Sequence, residues 1–250
     1  MQAQPSNPVV LVTGAARRIG AEVARHLHAL GSDVVVHYRR SAAEADGLVS
    51  ELEAARAGSA LAVAGDLSQA AECARVVEAA ARWKGRLDAL VNNASTFYRT
   101  PIGSIDERQW TELVDGNLKA ALFTSQAAVP WLRAHGGAIV NVCDVHTERP
   151  LPQFSVYSAA KAGMVALTRA LALELAPRVR VNAVAPGSLD WPEHVVFGEA
   201  ERRAKLEAIP LGRLGTGQDI ARAVAFLISG NDYVTGHVLA VDGGASLASR

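Results

Sequence analysis

The chain has 250 residues, half of them hydrophobic and only 5% aromatic, with Lys+Arg and Asp+Glu balanced at 25 each. That balance leaves no electrostatic footprint for nucleic acid or a membrane surface, and no apolar run reaches the ~18 residues of a membrane span. Cys73 and Cys143 lack metal-ligand spacing, and the opening MQAQPSNPVV lacks the charged and apolar regions of a signal peptide, so the expectation is a metal-free protein in a reduced, cytoplasmic setting.

Val9–Val12 is the first expected strand. Thr13-Gly14-Ala15-Ala16-Arg17-Arg18-Ile19-Gly20 follows it and opens a helix carrying Ile19, Val23, Leu27 and Leu30, with Gly31 at its C-terminal end. A strand, a tight glycine turn and a helix N-terminus in succession make a pyrophosphate site: Gly14 turns, small Ala15 and Ala16 allow close approach, and the first amides face the anion. The second strand, Val34–His37, leads into His37-Tyr38-Arg39-Arg40-Ser41. An NAD enzyme places a carboxylate there for the ribose 2′-OH; Tyr38, Arg39, Arg40 and Ser41 instead offer charge and hydrogen bonds to a 2′-phosphate, which favours NADPH. Asp33 lies at the start of the strand, at the wrong edge of the sheet for the ribose, and is expected to cap a turn.

Ala60–Ala64 is the third strand, and Asp66-Leu67 after it is placed to meet an adenine. Ala89–Asn92 ends in Asn92-Asn93-Ala94-Ser95, where Asn93, Ala94 and Ser95 line the cofactor. A long helix is expected from about 106 to 132, with Asn117 inside it either exposed or committed to a polar task. Strands Ile139–Val142 and Val179–Val184 flank a helix carrying Tyr157, Lys161, Met164, Leu167, Leu171 and Leu175, with Pro177 as its stop. Pro186-Gly187-Ser188 forms a backbone corner suited to holding a nicotinamide ring, and His237–Val241 is the last strand. This alternation predicts an α/β fold: one Rossmann-type, doubly wound parallel sheet of about seven strands with helices on both faces, ligands at the carboxyl ends of the strands, and a single domain over 1–250. Residues 1–7 are expected to be a flexible N-terminus.

Tyr157 and Lys161, four residues apart on one helix, share a face. A phenol titrates near ~10; a fixed ammonium beside it favours phenolate and draws its pKa toward the working range. Other residues take plainer readings. His26 and His28 have no partners at metal spacing, His146 near Asp144 either lines the pocket or is a solvated loop histidine, and Trp110 and Trp131 belong to the core or a subunit contact.

T-G-x-x-x-(G)-x-G, D-L, N-N-A-S, Y-S-A-A-K, the P-G turn and V-D-G-G occur in order from residue 13 to 244, and the whole chain resembles a short-chain dehydrogenase/reductase. Arg18 replaces the middle glycine of the first motif, His37-Tyr38-Arg39-Arg40-Ser41 follows the second strand, and Asp144 stands where that family usually has its catalytic Ser, 13 residues before Tyr157. With Asn93-Ala94-Ser95-Thr96-Phe97-Tyr98, these segments resemble the pteridine reductase branch. The resemblance implies that Tyr157 delivers a proton, that Lys161 lowers its pKa and holds the nicotinamide ribose, and that Asp144 orients Tyr157 and helps protonate through it. It also implies that Phe97 stacks on the pterin, Ser95 hydrogen-bonds it, and Arg18 reaches both the phosphates and the pterin's polar edge. Residues 188–207, with Trp191, Pro192 and Phe197, take the place of a substrate lid. The implied protein is an NADPH-dependent oxidoreductase acting on C=N bonds of a dihydropterin, an oxidised pterin or dihydrofolate, assembled as a homotetramer. The alternatives are a carbonyl reductase of the same fold, which would favour Ser at 144 and no stacking aromatic at 97, and a catalytically idle NADP(H)-binding regulator.

Overall fold

In a computed structural model, which describes residues 7–190 and 198–248, seven strands form one parallel sheet in the order β3-β2-β1-β4-β5-β6-β7. They are β1 Val9–Val12, β2 Asp33–Tyr38, β3 Ala60–Ala64, β4 Ala89–Asn92, β5 Ala138–Val142, β6 Arg180–Pro186 and β7 Val238–Val241. Helices α1 Arg18–Ala29, α2 Ala42–Ala55, α3 Ala70–Lys84, α4 Glu107–Val114, α5 Ala120–His135, α6 Ser155–Leu175, α7 Glu199–Glu207 and α8 Gly217–Ala225 join them. The expected N-terminal residues 1–6 and the lid residues Trp191, Pro192 and Phe197 lie outside the described residues.

Because successive strand residues point to opposite faces, the sheet builds two cores. Val10, Val12, Val34, Val36 and Val91 pack with α1, α2 and α8 through Val23, Leu27, Leu48 and Val224. Val9, Leu11, Val35, Leu90 and Ile139 pack on the other face with α3, α5 and α6 through Val76, Leu132 and Leu171. All four residues of β1 are buried, which is why the central strands are continuous apolar runs rather than alternating ones. Among the described residues, no helix is long and apolar enough to cross a membrane.

Two local details qualify the sequence expectations. Helix α1 ends as its glycine predicts: Gly31 has φ +99°, and its N–H and that of Ser32 donate to His28 O (2.9 Å) and Leu27 O (3.1 Å), the paired bonds of a Schellman end. The expected 106–132 helix is interrupted between α4 and α5 by a π-helical turn over Asp115–Lys119. Asn117 sits in that turn, buried, its side-chain amide donating to Leu113 O and Thr96 O at 2.8 Å each, so its task is polar and structural. Asp33 does not cap a turn. It is buried at the amino edge of the sheet, paired with Arg56 at 3.3 Å and Lys84 at 3.8 Å.

Gly20 carries a sharp test of this packing. A Cβ there would lie 2.5 Å from Gly14 O and 2.8 Å from Ala15 Cα, both backbone atoms that cannot swing aside. Gly20→Ala should cost about 1–3 kcal/mol and lower Tm by roughly 2–12 °C. Gly47→Ala, inside α2 with nothing within 4 Å, should stabilise by roughly 0.5–1 kcal/mol through helix propensity. Thermal and denaturant unfolding of the two variants checks both signs.

Candidate active site

The strand order reverses between β1 and β4, and a crevice opens beyond the carboxyl ends of the strands, as such a reversal requires. It is a cleft of about 1360 Å³, larger than an ordinary small-molecule pocket. Gly14, Arg18, Ile19, Tyr38, Arg39, Arg40, Ser41, Asp66, Leu67, Asn93, Ala94, Ser95, Phe97, Asp144, Tyr157, Lys161, Pro186 and Gly187 all line it. Ser188 is not among its walls; its backbone carbonyl instead accepts the Gly215 N–H at 3.0 Å.

The loops after β1 and β4 are bound to each other. Thr13 Oγ1 accepts the N–H groups of Asn93 (2.9 Å) and Ala94 (3.0 Å), while Asn93 Nδ2 donates to Thr13 O (2.9 Å) and Gly14 O (3.0 Å). The Asn93 side chain thus braces the glycine turn at the cleft wall. Gly14 has φ +61°, and a Cβ on it would come within 2.9 Å of Ala94 Cα. Arg18, at the start of α1, also adopts φ +54°. A left-handed backbone at a non-glycine residue costs roughly 1–2 kcal/mol, and the arginine that takes glycine's place accepts that strain while facing the cleft.

His37, which sequence reasoning left without a role, holds the far side. Gly14 N–H donates to His37 Nδ1 at 3.0 Å, and Nε2 lies 3.1 Å from Gly65 O. A backbone N–H only donates, so Nδ1 is the acceptor and Nε2 carries the hydrogen. The ring clamps the turn after β1 to the turn after β3, and the H-Y-R-R-S segment contained it without a sign of that contact. Beside it, Arg39 lies 3.9 Å from Asp66, and the charges of Arg39 and Arg40 both favour that carboxylate's ionised form.

At the centre, Tyr157 donates to Asp144 Oδ2 at 2.7 Å. His146 donates to Asp144 Oδ1 through its backbone N–H (2.8 Å), and its Nδ1 lies 2.7 Å from the same oxygen; of its two expected places it takes the one beside Asp144. Burial opposes ionisation of Asp144, but the hydrogen bonds from His146 and Tyr157 outweigh it and hold its pKa below the usual carboxylate value. Tyr157 goes the other way. Burial, then the Asp144 charge, push its pKa well above that of an ordinary phenol, so the expected phenolate-favouring effect of Lys161 does not prevail here. The reason is geometric: Lys161 Nζ donates to Val142 O at 2.7 Å and lies 5.9 Å from the Tyr157 ring centre.

Lys161 also provides the fit test for a nucleotide. Its fully buried ammonium has one protein acceptor among the described residues and three N–H groups to place, so it suits a hydroxyl-bearing ligand such as a ribose lying in the cleft it lines. The glycine turn, the helix N-terminus and the arginines after β2 are the donors that a pyrophosphate and a 2′-phosphate require. Phe97 is 55% exposed in the cleft, stacked on Phe154 at 4.6 Å and edge-on to Tyr157 at 4.7 Å. Ser95 donates its hydroxyl hydrogen to Asn117 Oδ1 at 2.7 Å, leaving its lone pairs for the cleft.

The family model described as enoyl-(acyl carrier protein) reductase matches residues 14–246. An uncharacterised oxidoreductase of Methylorubrum extorquens is 41% identical, covering 94% of this chain and 96% of its own. Pteridine reductase 1 of Leishmania tarentolae is 36% identical over 99% of each chain. A 3-oxoacyl-(acyl-carrier-protein) reductase of Staphylococcus aureus is 37% identical over 94% of this chain and 96% of its own.

The His37 clamp has a pH signature. Burial lowers its pKa from 6.5 to about 4, so the folded protein keeps the ring neutral while the unfolded chain takes up a proton below about 6.5. The unfolded state therefore binds more protons in that window, and stability falls as pH drops from about 6.5 to about 4, by roughly 3 kcal/mol for this group. Denaturant unfolding across that range should show a shallower decline for His37→Asn than for wild type.

Proposed function

Since the chain belongs to the short-chain dehydrogenase/reductase family, whose oxidoreductases use nicotinamide dinucleotides, we propose that it is an NADPH-dependent pteridine reductase. Its substrate is a dihydropterin, taken to the tetrahydro form; oxidised pterins and dihydrofolate carry the same ring system. The relatives bear the names of pterin and oxoacyl reductases alike, so the substrate is argued from the site.

The observation that carries the reading is the 2.7 Å hydrogen bond between Tyr157 and an Asp144 held in its ionised form. A carbonyl substrate wants a neutral hydroxyl donor at this position, and an ionised carboxylate only accepts. Reduction of a ring C=N bond instead needs a proton delivered to nitrogen, and a phenol steered by a carboxylate serves that need. Phe97, stacked on Phe154 yet 55% exposed, adds aromatic surface to the cleft it lines, suited to a flat heterocycle.

When bound, the nicotinamide supplies the hydride. Tyr157 gives its phenolic proton to the ring nitrogen, Asp144 aims the hydroxyl, and Lys161 holds the ribose. Phe97 covers one face of the pterin, Ser95 accepts hydrogen bonds from its edge, and Arg18 bridges that edge and the phosphates. Arg39, Arg40 and Ser41 take the 2′-phosphate.

Cofactor choice tests the arginines. Arg39→Ala with Arg40→Ala should weaken NADPH far more than NADH, since charge-assisted hydrogen bonds of ~1.5–3 kcal/mol are lost only with the former. A shift of roughly tenfold or more in the ratio of kcat/KM values is expected; equal losses would make the arginines structural.

Substrate class is tested at two other residues. Asp144→Ser should cut dihydropterin turnover by roughly 10²-fold while leaving NADPH affinity nearly unchanged. Phe97→Ala should raise the pterin KM by roughly two- to tenfold, the worth of one stacking face. If the wild type ignores pterins and reduces 3-oxoacyl thioesters, the pterin reading is wrong.

A further inference from the structure

His146 has no part in the chemistry derived so far, yet it takes up one whole side of Asp144. Oδ1 of that carboxylate faces the His146 backbone N–H at 2.8 Å and its Nδ1 at 2.7 Å, while Oδ2 faces the Tyr157 hydroxyl at 2.7 Å. An ionised carboxylate cannot donate, so Nδ1 must carry its hydrogen and Nε2 is the ring atom left to gain or lose a proton. The side chain of His146 is 30% exposed against 19% for Asp144, and Tyr157 is buried at 6%. The three groups therefore form a row from water to the interior, with the imidazole at the wet end.

Taking Asp144 and Tyr157 as the acid pair of the reaction above, we propose that His146 is a positioning residue whose charge sets how tightly Asp144 holds the Tyr157 proton. Neutral His146 fixes the carboxylate with Oδ2 turned to the phenol. Protonation at Nε2 leaves both hydrogen bonds to Oδ1 in place and adds a positive charge on the far side of the carboxylate. That charge offsets the anion that makes Tyr157 a reluctant acid, and the phenol gives up its proton more readily. No proton travels along the row: the substrate's proton is the one on Tyr157, and the Nδ1 hydrogen stays where it is.

Among the described residues, the other titratable groups acting on the pair are Cys143 just after β5 and Lys161 on α6. Burial pushes the Cys143 thiol up to about 11, so it stays neutral, and the Lys161 ammonium is fixed on Val142 O. Glu148 and Arg149 share the loop with His146, and Arg149 donates to Ala248 O at 2.7 Å. Imidazole is the side chain of this set whose type changes charge between about pH 5 and 8.

The test is kcat against pH from about 5.5 to 8.5 for wild type and His146→Asn. The asparagine amide keeps an N–H for Oδ1 and cannot ionise. Wild-type kcat should rise toward acid pH by roughly three- to tenfold more than that of the variant, which should stay near the wild-type alkaline level. Profiles of the same shape would overturn the proposal. A second measurement needs neither substrate nor a folded variant: ¹⁵N spectra of wild-type imidazoles, with His146 assigned through its couplings along the chain. Nδ1 should carry its hydrogen throughout, and a neutral Nε2–H tautomer would refute the arrangement. Should wild type reduce oxoacyl thioesters and no pterin, the proposed substrate fails, and the same two profiles run on the thioester still decide the role of His146.

Discussion

Everything at the working end of this molecule depends on the seam between the loops that follow β1 and β4. The sheet runs outward in opposite directions from these two neighbours, so their connecting helices leave on opposite faces and a crevice opens where they part. Thr13 and Asn93 close the floor of that crevice with reciprocal hydrogen bonds. The buried amide of Asn92 continues the brace inward to Asn141 on β5 at 2.9 Å, and Asn141 in turn reaches Thr168 on α6 at 2.9 Å. Polar groups this deep are tolerable only when each finds a partner, and their partners here belong to the strands and helix that carry Asn93, Asp144 and Lys161.

On that floor the charges are arranged as a sequence of holds. Burial opposes the Asp144 charge, yet its hydrogen bonds hold its pKa below the usual carboxylate value. Burial first, and the same carboxylate second, keep the phenolic proton on Tyr157. Lys161, buried and tied to a strand carbonyl, presents its ammonium to the cleft without touching the phenolic oxygen. The resting site thus keeps the phenol protonated, between a carboxylate that accepts its hydrogen bond and an ammonium held on a strand carbonyl.

Backbone strain gathers around the same cleft. Arg18 at φ +54° and Gln153 at φ +70° are non-glycine residues in left-handed conformations. Gln153 O accepts the Thr100 N–H at 2.6 Å, joining the segment that carries Phe97 to the one that carries Phe154. The two rings stack within 8° of parallel as a result. Conformations of this cost persist where surrounding contacts over-determine them, and the one at Gln153 lies next to the Phe97–Phe154 stack that faces Tyr157.

The periodicity of the chain determined the strands closely: Val9–Val12, Ala60–Ala64 and Ala89–Asn92 have the expected bounds, because buried parallel strands are unbroken apolar runs whose limits composition marks. The ordered motifs likewise placed Asp144, Tyr157 and Lys161 in one cleft with the glycine turn and the arginines after β2. What sequence could not decide were the directions and partners of polar side chains. Periodicity saw one helix where a π turn buries Asn117. Spacing paired Tyr157 with Lys161 and the family resemblance set Asp144 beside Tyr157; the fold shows the second contact and ties the ammonium to Val142 instead of the phenol. His37 and His146 looked idle because their partners lie on other loops or depend on a local turn. Apolar burial follows a pattern repeated along the chain, while a hydrogen bond is settled by a few ångströms between atoms that only the finished fold brings together.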